Sequence, residues 1–160
     1  MRQTCGMAGW TITRSPLTGS VADRRLLAAW AGVCAERVLP LFQARHPDDD
    51  RPRRAVEAAR AWARGEIRVG RAREVAVAAH TAAQVAADPA ARAAARSCGQ
   101  AVGAAHMGGH ARHAANYAAT AVDHASSGGS DTAALDERAW QYAHVPEAVR
   151  SFAYPDGGPT

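Results

Sequence analysis

From Ser20 onward, apolar residues recur at three- and four-residue steps, the spacing of one face of an α-helix. Leu26, Leu27, Trp30, Val33, Cys34, Val38, Leu41 and Phe42 trace the first such face. Ser20 is suited to cap it, because its hydroxyl can accept from free N–H groups of the first turn. Pro40 is expected to kink this helix or to end it early. His46-Pro47-Asp48-Asp49-Asp50 reads as a turn whose carboxylates offer N-cap acceptors and negative charge to the helix that follows. Ala55, Val56, Ala59, Trp62 and Ala63 then mark a second amphipathic helix, with Pro52 tolerated in its first turn and Gly65 as its C′ residue.

A third helix is predicted from about Gly70 to Ala87, with Val75, Ala79, Ala82, Ala83 and Ala86 on one side. Asp88-Pro89 stops it and starts the next. The helical pattern from Pro89 to Ser126 is too long for one ordinary helix, and Gly108-Gly109 is the natural break, since each glycine weakens a helix by about 1 kcal/mol relative to alanine. Two helices are therefore predicted, near 90–106 and 110–126. Residues 126–130 read as a loop, and Leu135, Ala139, Tyr142 and Ala143 as the apolar face of a sixth helix ending near Pro146. A short turn over Pro146–Phe152 follows. The expectation is all-α, a single-domain helical bundle of about six helices, with an N-terminal arm at 1–19, the helical domain at 20–152 and a flexible tail at 153–160. Only Trp10-Thr11-Ile12-Thr13, in the arm, has strand character.

Composition sharpens this picture. The 160 residues include 41 alanines and only two phenylalanines, which predicts helices packed closely through small side chains rather than through aromatic layers. No run approaches the roughly 18 uninterrupted apolar residues of a membrane span, and no apolar segment follows Arg2 as a secretory signal would require. A cytoplasmic address is expected. Cys5, Cys34 and Cys98 form no CxxC pair, so neither a disulfide framework nor a zinc ribbon is indicated; Cys34 and Cys98 fit buried free thiols.

All 19 basic residues are arginine. Without lysine there is no P-loop lysine, no Schiff-base lysine and no Ser-Lys pair. Residues 1–96 hold sixteen arginines against nine acids, and 97–160 hold three against six. This uneven charge can steer a partner or simply solvate a surface. The stretch from Arg51 to Arg73 offers an Arg-rich face to phosphates, but Glu57, Glu66 and Glu74 interrupt it and no helix-turn-helix or zinc-finger signature supports it; nucleic-acid binding is the alternative, not the expectation. No GxSxG elbow is present, and no cofactor motif. His106 and His110, with His113 beyond, would share a face of one continuous helix and could hold zinc, although the glycine break between them would spoil that register. A metal-binding helical enzyme is the second alternative. His80 and His124 stand alone in sequence.

The run Trp30 … Cys34-Ala35-Glu36-Arg37-Val38-Leu39-Pro40-Leu41-Phe42, with Asp49-Asp50-Arg51-Pro52-Arg53 and Glu57-Ala58-Ala59-Arg60-Ala61-Trp62, resembles the Imm-5-like immunity proteins, which are small helical bacterial proteins. Ala79-His80, Ala105-His106-Met107, His110, Tyr117, Trp140 and Pro146-Glu147 are similar to that family's later blocks. The likeness spans roughly Ser20 to Arg150. It implies a cytoplasmic, non-enzymatic protein without a cofactor, whose partner is a protein, a polymorphic toxin that it binds and neutralises. Alanine-rich helix faces also permit homodimerisation. Within the motif, Trp30, Cys34, Val38, Leu41 and Phe42 fit a core seam. Glu36, Arg37, Asp49, Asp50, Arg51 and Arg53 form a charged cluster that could bind the partner or merely cap the helices. Arg37 or Arg53 is expected to pair with an aspartate of the turn and set the angle between the first two helices.

Overall fold

A computed structural model of the chain describes residues 18–126 and 132–159. Its helices are α1 (Val21–Gln43), α2 (Arg51–Ala63), α3 (Val69–Val85), α4 (Pro89–Gly103), α5 (His110–Ala125), α6 (Thr132–His144) and α7 (Glu147–Ala153). No strand occurs among the described residues. The arm with Trp10–Thr13 and Cys5, and the loop at 127–130, lie outside them.

Several helix ends follow from single residues. Ser20 and Asp23 form a reciprocal capping box at the start of α1, which satisfies two donors that the first turn leaves free. Asp88 accepts from Ala91 N–H at 2.9 Å, and Pro89 opens α4 at a position where no N–H is needed. At the end of α2, Gly65 adopts φ 77°. The N–H of Gly65 reaches Trp62 C=O and that of Glu66 reaches Ala61 C=O, both at 2.9 Å, a Schellman closure.

Pro40 lies inside α1, which continues for three residues beyond it to Gln43. Only one turn remains beyond it, so a single ladder bond to Glu36 C=O is lost. Both residues lie on the exposed side, where water can take that carbonyl. Phe42, fully buried, anchors the last turn. α4 ends at Gly103, ahead of the expected Gly108-Gly109 break, and residues 104–109 make a tight connection into α5. Gly108 sits where a Cβ would press on Leu27 and Phe152 at 3.0 and 3.1 Å. Gly108 thus serves a close crossing over α1 and α7.

α4 packs against α1, α2, α3 and α5, and it is buried nearly all round, through Ala91, Ala94, Ala95, Cys98, Ala101 and Val102. A helix that is apolar on every side belongs at the centre. α1 lies beside it, contributing Leu27, Trp30, Cys34, Val38 and Phe42. α1 is long and apolar enough to cross a membrane by length and composition, but more than half of that window is buried in the bundle, which accounts for its hydropathy. Leu26 and Val33, assigned above to its inner face, are substantially exposed. Cys34 and Cys98 are buried free thiols. Burial pushes both thiols up, Cys98 to about 12, so neither is a nucleophile at neutral pH.

α6 departs most from the sequence reading. Leu135, Ala139 and Ala143, expected to face inward, are exposed, Leu135 by 52 %. The buried residues of α6 are Glu137 and Gln141. The helix is seated by polar contacts instead. Gln141 Nε2–H donates to Ala115 C=O at 3.0 Å and to Glu137 Oε1 at 3.2 Å, while Trp30 Nε1–H donates to Gln141 C=O at 3.0 Å. Beyond α7, Tyr154 packs edge-on against Trp30 and Tyr142, with ring centroids 6.0 and 5.1 Å apart.

Candidate functional site

The six charged residues of the motif do not form one cluster. Arg37 turns away from the aspartate turn and meets Glu137 across 100 residues of sequence, its Nε and Nη2 on the two carboxylate oxygens at 3.1 and 2.9 Å from Glu137 Oε2 and 3.2 Å from Oε1. The guanidinium also lies 3.8 Å over the Trp140 ring. Glu36 joins α1 to α2 through Arg60, with Nη1 at 2.9 Å from Oε1. That pair, rather than one made by Arg37, ties the two helices. Arg53 does approach Asp50, at 3.6 Å, but within its own helix start, and it holds Glu57 at 2.5 Å.

Asp50 is the N-cap of α2 yet makes no side-chain cap. Its carboxylate is drawn to Arg54 at 2.8 Å, while Asp49 accepts from Arg51 N–H at 3.2 Å and holds the Arg51 side chain at 2.6 Å. That guanidinium keeps the Asp49 carboxyl below its ordinary range. The capping acceptor of this turn is therefore Asp49. Further along, Arg64 pairs with Glu66 and Arg71 with Glu74. Together with Asp49, Asp50, Glu36 and Glu57, these acids neutralise most cations of the Arg-rich stretch. Such a surface releases few counterions from a nucleic-acid backbone.

Some cations stay unneutralised beside a groove. Val21, Arg24, Arg25, Trp62, Gly65, Ile67, Val69, Arg73, Ala105 and His106 line a groove of about 470 Å³ where the start of α1 meets the α2–α3 loop and the end of α4. Arg24 is anchored there, donating to Ala105 C=O and to Gly19 C=O at 3.1 Å each. Arg25 and Arg73 form no ion pair with a described residue, and no carboxylate lines the groove among the described residues. Val21 and Val69 line it as exposed apolar side chains.

A second cavity, of about 270 Å³, adjoins the first and shares Arg73 and His106 with it. It gathers three histidines from separate parts of the chain, His80, His106 and His110. The rings of His106 and His110 lie 4.8 Å apart, although they are not on one continuous helix. The reversal between α4 and α5 brings them together, where helical i, i+4 spacing was the expected route. His113 is exposed, its ring 6.4 Å from that of His110. Among the described residues, no group of three or more His, Cys, Asp or Glu side chains is arranged to hold a metal ion.

Burial, with the Arg96 charge, pushes His80 below the usual histidine range. Burial followed by the Arg73 charge does the same to His106, and burial followed by the neighbouring imidazoles to His110. For a base with a depressed folded pKa, the unfolded chain takes up protons first. Stability is then complete above the unfolded value and declines as pH falls below it. The melting temperature is expected to hold steady above about pH 7 and to drop as pH is lowered through about 6.5. Replacing His80, His106 and His110 together with glutamine should flatten that drop in thermal melts recorded across the range. A slope unchanged in the triple variant would assign the acid sensitivity elsewhere.

No curated protein and no solved structure matches the chain. The family model described as Imm-5 like putative immunity protein matches residues 18–148, and the chain belongs to that family.

Proposed function

We propose that the protein is a non-enzymatic binding module that neutralises a bacterial polymorphic toxin by covering its active surface, working in the cytoplasm. Membership of an immunity-protein family supports a protein partner. The observation that carries the reading to a surface is the groove between α1, the α2–α3 loop and α4. There Arg25 and Arg73 form no ion pair with a described residue and stand among exposed Val21 and Val69, whereas most other described arginines of this half are neutralised by neighbours. Arginine beside apolar side chains at a concave surface is the composition of interface anchors. The complement is a partner patch carrying acidic and apolar side chains.

Co-expression with toxins encoded beside this gene tests the proposal. One of them should be tolerated by the cells and co-purify with the chain. Reversing two charges, Arg25→Glu with Arg73→Glu, should weaken that association at least about tenfold, mostly through slower and less salt-sensitive capture. If none of the neighbouring toxins is neutralised or retained, the immunity reading fails.

A further inference from the structure

The histidine-lined cavity is built by deliberate local spacing. His80 comes from α3 and His110 opens α5, and α4 runs between them with Gly99 and Gly103 one turn apart. A Cβ at position 99 would stand 2.7–2.9 Å from three atoms of the His80 ring, and one at 103 would stand 3.3 Å from His110 Cγ. Any larger residue at these two positions would occupy the space the imidazoles now hold. Ala76 and Val77 complete an apolar wall, and Arg73 reaches in from α3. No carboxylate lines the cavity among the described residues.

The ring nitrogens are only partly satisfied by the protein. His110 Nδ1 lies 2.6 Å from Gln100 Oε1. An amide oxygen only accepts, so Nδ1 carries the proton and Nε2 is left with its lone pair. His106 Nδ1 is buried and makes no well-formed hydrogen bond, although a Gly103 backbone group favours the protonated ring. Guanidinium groups nearby repel a cation and attract an anion. The donor set is small and one side of the cavity is apolar. A carboxylate has two oxygens to satisfy and an aliphatic stem to bury, which fits better than a phosphate with four oxygens.

We propose that this cavity is a binding site for a carboxylate on a short aliphatic stem, held by Arg73, His106 and His110. The carboxylate accepts from the Arg73 guanidinium and from a ring N–H of His106. His110 Nε2 takes one proton from solvent and donates it to the second oxygen, so one proton is bound with each anion. Arg24 from α1, Arg73 from α3, Arg96 from α4 and His113 from α5 surround the three rings with positive or titratable charge, and the anion offsets that repulsion. Binding therefore tightens as pH falls below about 6.5. The carboxylate can come from a free acid or from an Asp or Glu side chain of the bound partner. Only the second source rests on the immunity reading.

The test uses the full chain alone, titrated with sodium propionate at about pH 6 and constant ionic strength while the histidine Cε1–H resonances are followed by NMR. Propionate should shift His80, His106 and His110 saturably, leave His46 and His144 in place, and raise the apparent pKa of His110 by about one unit. Arg73→Ala should weaken this at least about tenfold. Gly99→Ala, which displaces the His80 ring, should also weaken it. If that variant unfolds, Val77→Glu serves instead, because Val77 is exposed at the rim and a tethered carboxylate there should compete with the added acid. Equal shifts from chloride, a linear unsaturated response, or saturation by inorganic phosphate but not propionate would overturn the proposal. N-acetylglutamate N-methylamide binding as tightly as propionate points to a partner side chain, and weaker binding points to a free acid; both support the site. A failed toxin experiment leaves this titration untouched.

Discussion

Replacing Trp30 with alanine is expected to lower the unfolding free energy by about 3–5 kcal/mol, measured from urea melts followed by far-UV circular dichroism. Trp30 is 4 % exposed. It is one of few large side chains in an interior otherwise lined by methyl groups. Its ring meets Tyr154, and its Nε1–H donates to Gln141 C=O at 3.0 Å, so it joins α1 to both α6 and the segment after α7. Alanine neighbours are too short to close over the space it would leave. Trp30→Phe keeps most of the bulk and removes the hydrogen bond, and should cost only about 1 kcal/mol beyond the ring mismatch. A loss below about 1 kcal/mol for Trp30→Ala would show that the bundle does not depend on this joint.

Arg37→Ala should be nearly as severe, at about 2–4 kcal/mol. The reason is what it leaves behind. Glu137 is 5 % exposed and would remain a buried carboxylate, retaining only the Gln141 amide contact at 3.2 Å. The reverse change, Glu137→Leu, should be milder, because the Arg37 side chain is 39 % exposed and keeps both water and the face of Trp140. This asymmetry is the diagnostic. A double variant, Arg37→Ala with Glu137→Leu, should recover part of the loss. Equal costs for the two single changes would mean that the pair acts as an exposed ion pair worth little.

These two side chains also show where the sequence was legible and where it was not. Helix ends controlled by neighbours were readable. Ser20, Asp88 with Pro89 and the Gly65 reversal all behave as their local chemistry predicts. The all-α architecture was equally plain, because alanine periodicity outweighs every strand signal in the described residues. What failed was the assumption that apolar periodicity marks the buried face. In α6 the inward residues are Glu137 and Gln141, made tolerable by Arg37, Trp30 and Ala115 from helices far away in sequence. No local window contains those partners.

The candidate site was partly visible. His106 and His110 were picked out as a pair and do lie together, but through a chain reversal rather than a shared helical face. His80, which stood alone in sequence, lines the same cavity. The signal that could have found it was the pair Gly99 and Gly103, spaced one turn apart in an otherwise alanine-rich helix, where a helix gives up side chains to admit something bulky. Arg25 and Arg73 could not be distinguished from the neutralised arginines around them, since the difference is whether a carboxylate happens to reach them in three dimensions.

The methyl-lined interior has a consequence for how such a protein can change over time. An alanine at a helix crossing has almost no neighbour smaller than itself except glycine, so nearly every substitution there adds volume and forces the backbones apart. It also has no rotamers to lose on folding, and a bulkier replacement would add that entropic cost as well. Drift in the frame is therefore confined, and any retuning of what the molecule grips falls to the rim residues, Val21, Arg25, Val69, Arg73 and Val77, whose side chains reach solvent without disturbing a crossing.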